Sequence, residues 1–366
     1  MDRKLASIQS IVALNPIPNA DRIEKATILG WEVVVAKKDD FKVGDLVVYI
    51  EVDSIVPNRP EFEFLKDKKF RIKTIKLKQQ VSQGLVMPLS ILPKGKYNKG
   101  DDVTKLLNIK KYDPQGDLEQ KLLNEKLDRD KNKLSRFLSR YPWYRKLFKF
   151  LQPKKSGFPS FIKKTDEDRI QLFPGICERE KDTIFEVTEK LDGQSLTCFL
   201  VKNNKRFLGF GKKYTFGVCS RNLLLNKPDN SSWWTITRQL DIENVLMNLI
   251  GNEQYIVLQG EIIGEGIQGN KYGIKKYDFY AFNLIFPNKK TNNSFAAHLL
   301  SLWGIKFVPA LDNNFNLKPT IQEMVEFAKG KSTIADTQRE GVVVRNYDKN
   351  ISFKVINPDF LLKYDE

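Results

Sequence analysis

Two strand-forming runs, Ile184-Phe185-Glu186-Val187-Thr188-Glu189 and Leu196-Thr197-Cys198-Phe199-Leu200-Val201, enclose the polar tetrapeptide Lys190-Leu191-Asp192-Gly193. β-Branched and aromatic residues crowd both flanks, so the tetrapeptide is expected on a turn between two strands. A lysine there, backed by an acid and a glycine, can present an amine nucleophile to a nucleotide α-phosphate. In a chain this rich in lysine the tetrapeptide can also arise by chance, so the remaining residues decide its meaning.

The absences narrow the chemistry. The single histidine, His298, lies in a helical stretch at 294–303 and reads as a packed or surface residue. A Ser-His-Asp triad is not expected, and paired-histidine metal sites and two-histidine phosphoesterase chemistry are excluded. Cys177, Cys198 and Cys219 form no Cys-x-x-Cys pair, which argues against a zinc ribbon or a redox couple. Their odd number, with no apolar leader after Met-Asp-Arg-Lys, points to a reducing intracellular compartment. No apolar run approaches membrane-spanning length, so no membrane partner is expected. Catalysis must then rest on Lys, Arg, Asp and Glu, with a hard metal ion bound through oxygen. The net charge of +16 favours a polyanionic partner, nucleic acid before an acidic membrane surface, with solubility alone as the bland alternative.

At 366 residues the chain can hold two domains. Apolar or alternating runs at 6–14, 27–36, 46–52 and 71–78 are separated by turn clusters, which suits a small closed barrel of the OB type over residues 1–104. Arg71, Lys73, Lys76 and Lys78 recur along one such strand with a change of phase, either as a solvated edge or as a surface tracking a nucleic-acid backbone. Residues 105–157 read as a basic helical linker, with 12 Lys/Arg against 3 Asp/Glu between 121 and 155. From 158 to 366 the pattern mixes strands (183–189, 195–201, 255–263, 278–285, 341–345, 351–356) with helices (234–251, 294–304, 320–330).

Transfer of a nucleotide to lysine needs an in-line attack by a neutral amine on the α-phosphorus, with pyrophosphate leaving. Neighbouring cations must lower the lysine pKa and balance the phosphate charge. Arg169, Arg221, Glu261, Phe282, Glu340 and Lys354 follow in order on or beside these elements. Singly, each has a structural explanation as good as a functional one: Glu261 and Glu340 as edge charges, Phe282 as core, Lys354 as a solvated strand residue. As an ordered set across six elements, chance accounts for them poorly.

At these positions the chain resembles the covalent nucleotidyltransferase superfamily of ATP-dependent ligases and mRNA capping enzymes. Lys190-Leu-Asp-Gly is similar to its nucleophile motif and Val218-Cys-Ser-Arg-Asn to the arginine motif that follows. Gly260-Glu261, Ala281-Phe282-Asn283-Leu284, Glu340-Gly-Val-Val-Val-Arg345 and Ser352-Phe-Lys-Val-Ile356 resemble the later motifs. The resemblance implies ATP and Mg²⁺ (or Mn²⁺) as cofactors, with Lys190 carrying AMP and Phe282 stacking on the purine. It also implies Arg221 and Glu261 at the ribose, Glu189 in the nucleotide site, and Arg169 and Lys354 at the phosphates. Asp192, Glu261 and Glu340 would hold the metal, directly or through its waters. Ile356 stands where some relatives carry a second lysine, which leaves the phosphate role to Lys354, with Lys363 as a candidate helper.

Only twelve residues follow Lys354, so no C-terminal OB domain is expected, and the OB-type domain comes first instead. This layout is similar to the fifth group of ATP-dependent RNA ligases. So are Pro18-Asn-Ala-Asp-Arg-Ile-Glu24, Gly44-Asp45, Ser82-Gln-Gly-Leu85 and the stretch from Phe158-Pro-Ser-Phe through Asp168-Arg169-Ile-Gln171. The expected fold is α+β: an N-terminal OB-type β-barrel, then an adenylyltransferase (ATP-grasp-like) domain at 158–366 of antiparallel sheets flanked by helices. The expected activity is ATP-dependent sealing of 3′-OH/5′-phosphate RNA ends, with nicked duplex as partner and a monomer as the working form. DNA nick sealing, GTP-dependent capping and an inactive nucleic-acid-binding relative are the alternatives. Gly264-Glu-Gly266-Ile-Gln-Gly269 spells a dinucleotide fingerprint but lacks a following helix, and reads as a loop flanking the groove.

Overall fold

The computed structural model describes residues 4–113, 116, 141–142, 157–203, 213–225, 229–288 and 291–364. The helical stretch expected in the basic linker lies almost wholly outside them. In the first domain the strands are β1 (Ala6–Pro16), β2 (Ile23–Ile28), β3 (Trp31–Ala36), β4 (Leu46–Ile50), β5 (Ser54–Ile55), β6 (Arg71–Ile72), β7 (Thr74–Leu77), β8 (Gln80–Gln83), β9 (Leu85–Pro88) and β10 (Lys110–Lys111). They form a five-stranded sheet β3-β2-β1-β4-β9, a small sheet β10-β5-β6 and the β7-β8 hairpin.

Strand β1 spends its first half on β4 and its second half on β2, and its register slips between Ile11 and Ala13. A slip of this kind bends a strand and increases its twist, so the sheet curls. The curl stops short of the closed barrel expected from the sequence. Among the described residues β3 and β9 share no ladder, and the Val34 N–H reaches β8 instead, donating to Ser82 Oγ at 2.9 Å. The result is an OB-like half-barrel. Strand β4 shows why its run is apolar without alternation: Val47 and Tyr49 enter one core while Val48 and Ile50 enter the other. The run at 27–36 is two strands turning at Leu29, whose φ is 55°. The run at 71–78 is likewise two strands, broken at Lys73, which explains its change of phase. Leu107 and Ile109 pack into the first domain's core, so that core extends past residue 104.

The second domain carries β11 (Ile184–Lys190), β12 (Gln194–Lys202), β13 (Tyr214–Cys219), β14 (Tyr255–Ile263), β15 (Asp278–Ile285), β16 (Lys306–Phe307), β17 (Ala310–Asn316), β18 (Gly341–Asn346) and β19 (Ile351–Ile356). They make two sheets, β17-β11-β18-β19 and β13-β12-β14-β15-β16. All pairs are antiparallel except β15 with β16. Helix Ile321–Ala328 covers the four-stranded sheet through Met324 and Ala328, which join Phe185, Val187, Val342, Val344, Phe353 and Val355. Helices Ser232–Gln239, Ile242–Leu249 and Asn293–Ser301 cover the other sheet. The single helix expected at 234–251 is two, because Asp241 adopts a left-handed φ of 45°. His298 is exposed on its helix. No described helix is long and apolar enough to cross a membrane.

The tetrapeptide differs most from expectation. Its flanking strands belong to different sheets, so Leu191-Asp192-Gly193 carries the chain across the seam between them. The first domain docks beside this seam. The Gly30 N–H donates to the Gln171 carbonyl at 3.0 Å, and a Cβ on Gly30 would stand 2.5 Å from Ile321 Cδ1 and 2.9 Å from Gln171 Cα. Only glycine allows so close an approach.

Candidate active site

Alternation along three strands of the four-stranded sheet separates core from cleft. Phe185 and Val187, Val342 and Val344, and Phe353 and Val355 point into the core. The intervening Thr188 and Lys190, Val343 and Arg345, and Lys354 and Ile356 line a cleft of about 270 Å³ between the two sheets. From the other side come Glu261 on β14 and Phe282 on β15, and the first domain adds Asp53, Lys111 and Tyr112.

Lys190 ends β11 opposite Gly341, which brings its Nζ to Glu340 Oε2 at 2.6 Å. Burial disfavours the ammonium, but Glu340, then Glu261 and Asp192, more than offset this and hold Lys190 above the ordinary lysine range. The sequence predicts cations lowering this pKa. The structure surrounds the amine with carboxylates, because the ends of β11, β14 and β18 converge here. Burial also pushes Glu261 up to about 8, with Glu340 and Asp192 adding to the rise against Lys190 and Arg221. Glu340 is raised as well, by burial first, with Lys190 opposing.

This is a donor set in excess of its counter-charge, and its carboxylate oxygens suit Mg²⁺ or Mn²⁺. Among the described residues no group of three acidic, histidine or cysteine side chains forms a ready-made metal cage. Mg²⁺ takes one or two carboxylates and completes its shell with water and substrate phosphates. Glu261, Glu340 and Asp192 are the candidate donors, directly or through the ion's waters. Asp192 is ion-paired with Lys271 in a short contact.

The cations gather on the opposite side. Asp166 is a hub that accepts from Lys354 at 2.9 Å, Arg221 at 3.0 Å and Lys111 at 2.8 Å. Burial works against its charged form, yet Lys354, Arg221 and Lys111 hold its carboxyl well below the usual range. Lys354 is itself lowered to about 8, by burial and then by the nearby Lys190 and Arg169, against Asp166. Such a group of cations, with one exchangeable carboxylate among them, can receive phosphate oxygens.

Arg169 is 6% exposed and stands 5.6 Å from the Trp31 ring. Its Nη2 donates at 3.2 Å to Asp53, which also accepts from Arg71 at 3.0 Å. Arg71 is therefore buried at the domain junction, stacked 3.7 Å from the Tyr112 ring centroid, and is neither a solvated edge residue nor a nucleic-acid contact. Asp53→Asn should leave the backbone intact, since Asn tolerates the left-handed φ of 63° found there. Loss of the charge shared by two buried arginines should cost about 2 kcal/mol. A thermal melt and the rate of nucleotide transfer should both fall; an unchanged rate would show that this clamp does not position Arg169.

Phe282 lines the cleft, and its carbonyl accepts from Arg345 Nη1 at 2.9 Å while Arg345 Nη2 reaches Glu167 at 3.1 Å. Glu189 is among the cleft-lining residues, with its side chain alternating with that of Lys190. It is 1% exposed and accepts from Ser332 Oγ at 2.5 Å and from the Thr333 N–H at 2.9 Å and hydroxyl at 2.6 Å. Lys363 is not among the cleft-lining residues; its Nζ lies 4.8 Å from the Tyr364 ring. Sequence reasoning missed Asp53, Lys111, Asp166, Arg345 and Lys271. Asp166 and Arg345 sit inside motifs already quoted and were open to recognition as partners, whereas Asp53, Lys111 and Lys271 carry no local signal.

Gly193 shows a steric reason for the last position of the tetrapeptide. A Cβ there would stand 2.4 Å from the Ile262 carbonyl oxygen and 2.8 Å from Glu261 Cγ. Gly193→Ala should destabilise the fold by about 1–3 kcal/mol through overpacking. It should also slow nucleotide transfer by about a hundredfold, because Glu261 must shift. A variant that melts lower but transfers AMP at the normal rate would refute the second part.

Residues 5–89 match the family model of an OB-fold domain, and residues 183–364 match that of RNA ligase. Comparison with curated proteins finds no match. Among solved structures the chain is similar to a Naegleria gruberi RNA ligase with pyrophosphate, at 31% identity and a TM-score of 0.78, covering 100% of this chain and 99% of that one. A variant of that ligase with ATP and manganese is similar at 30% identity and a TM-score of 0.78, covering 100% of both chains. Another variant with AMP and manganese gives 30% and 0.77, covering 99% of each.

Proposed function

The chain belongs to the RNA ligase family, and we infer from that membership and from its site that it is an ATP- and divalent-metal-dependent RNA ligase working through a covalent adenylyl-enzyme. One observation carries the residue-level reading: Lys190 is the cleft lysine paired with a carboxylate of the acidic set (Glu340, Glu261), and it shares the cleft with a cluster of cations (Lys354, Arg221, Lys111, Arg169). Lys190 attacks the α-phosphorus of ATP, forming a P–N bond as the bond to pyrophosphate breaks. Its proton must leave first, and Glu340, 2.6 Å from Nζ, stands where that proton can be taken. Glu340 and Glu261 would hold a divalent ion, which would neutralise the carboxylates that keep Lys190 an ammonium and offset phosphate charge.

Lys354 and Arg169 receive the phosphates as Asp166 gives way, Arg221 engages the ribose, and Phe282 stacks on the purine. AMP then passes from Lys190 to an RNA 5′-phosphate, and a 3′-OH displaces it to form the phosphodiester. The finer substrate is a nick in duplex RNA. The net charge of +16 and the likeness to the fifth ligase group in the first domain support that choice. The working form we propose is a monomer, and three buried free cysteines suit a reducing intracellular setting.

The test is incubation with ATP labelled at the α-phosphate and Mg²⁺, followed by addition of nicked RNA duplex. A labelled protein adduct that is discharged into sealed RNA is expected. No adduct, or an adduct that RNA with a 3′-OH cannot discharge, would overturn the reading.

A further inference from the structure

The segment leading into the cleft, from Phe158 to Arg169, is tied down along most of its length. Ile162 is buried with Phe199, Cys219 and Val257. Gln259, buried on β14, donates its amide to the Lys163 carbonyl at 3.0 Å and accepts from Asn283 at 2.9 Å. Thr165 Oγ1 lies 3.3 Å from Ser195 Oγ, and both residues line the cleft with Asp166. These inward contacts leave Phe161, Lys163 and Lys164 exposed. Phe161 is 44% exposed, its ring edge-on to that of Phe199 at 5.6 Å and 5.1 Å from that of Tyr255. Lys164 donates to Asn222 at 3.2 Å, and among the described residues no carboxylate pairs with Lys163 or Lys164.

A buried glutamine bonded to the backbone of an exposed segment fixes the place of side chains that no core requires. Ordering them in advance removes part of the entropy cost of binding. An aromatic ring braced by two others, beside two lysines with no acidic partner, suits a nucleic-acid strand: cations for its phosphates and a rigid π-face for a nucleoside. We propose that Phe161, Lys163 and Lys164 form the surface that holds the RNA strand where it leaves the cleft. The lysines take its phosphates, and the ring of Phe161 packs against an adjoining nucleoside. The inference deepens the ligase reading and rests on it for the identity of the strand. Lys163 lies three residues before Asp166, so at most about 11 Å of chain separates it from the phosphate-receiving group. A strand whose reacting end lies in the cleft therefore passes over this segment within its first few nucleotides. None of the three side chains lines the cleft itself, which sets them apart from the ATP site.

The measurement is binding of the full chain to a nicked RNA duplex without ATP, followed by fluorescence anisotropy over a series of salt concentrations. Lys163→Gln combined with Lys164→Gln should weaken binding about tenfold. It should also flatten the plot of log affinity against log salt by roughly one unit of slope per lysine, as lost phosphate contacts require. Phe161→Leu should weaken binding about fivefold and leave the salt slope unchanged, and Phe161→Tyr should match the parent. All these variants should form the AMP adduct from ATP at the parent rate. The glutamine pair alters only exposed side chains and keeps the Gln259 contact, so it carries the test should the leucine variant fail to fold. Parent-like affinity and slope in the folded glutamine pair would overturn the proposal. So would a parent that does not bind the duplex, or variants whose adduct formation falls as far as their RNA binding. RNA binding is read without any chemistry, so a parent that binds RNA but forms no adduct fails the ligase reading alone.

Discussion

Lys190→Met should abolish the labelled AMP adduct and lower sealing from ATP by at least about 10,000-fold, the scale on which loss of a covalent nucleophile acts. The same protein should still join a nick whose 5′ end already carries AMP, since that step does not use the amine. The melting temperature should fall, because Glu340 loses the buried cation it is paired with, while the strand's core residues Phe185 and Val187 remain. The pH dependence in the parent follows from the direction of the Lys190 shift. Its pKa is raised by folding, so the pair with Glu340 stabilises the protein fully below the ordinary lysine value and is lost as pH rises through the folded one. Only the neutral amine attacks, so the adduct rate should climb with pH, and raising Mg²⁺ should move the climb to lower pH. An adduct in Lys190→Met, or a rate that falls as pH rises from neutrality, would be fatal to this assignment.

Glu340→Ala should be nearly as severe, with a loss of about a thousandfold in adduct formation at saturating ATP. This prediction separates two roles. If Glu340 did no more than hold Lys190 as an ammonium, neither taking its proton nor holding the ion, its removal would leave a more easily deprotonated amine, and the reaction near neutral pH would speed up. If it also holds the divalent ion, the loss of charge compensation outweighs that gain and the half-saturating Mg²⁺ concentration rises. Comparing Mg²⁺ titrations of the parent and the variant decides the matter; a faster variant with unchanged metal dependence would remove Glu340 from the metal site.

Much of the site was legible because each group lies on a strand with a strong local pattern. Period-two alternation in Glu340-Gly-Val-Val-Val-Arg345 and Ser352-Phe-Lys-Val-Ile356 already implies which side chains share a face, and the cleft receives Arg345 and Lys354 as that pattern requires. The same alternation would have turned Glu189 away from Lys190, had it been applied to adjacent residues. The breaks at Leu29, Lys73 and Asp241 were harder to read, since a positive φ at a non-glycine residue or one unpaired residue leaves little trace in composition.

By itself the sequence determined most of the longer strands, their buried faces, the order of the charged groups and the family, because these depend on local periodicity and on residue types at short spacing. Only the tertiary structure decided that the strands beside Lys190 belong to different sheets, which is what opens a cleft at the lysine. It also decided that Asp53 and Lys111 of the first domain enter that cleft, and that Asp166 and Lys271 neutralise groups far along the chain. Electrostatic coupling falls with distance in space and is indifferent to separation in sequence. The charge state of Lys190 therefore became readable only once Glu340, 150 residues away, was seen at 2.6 Å.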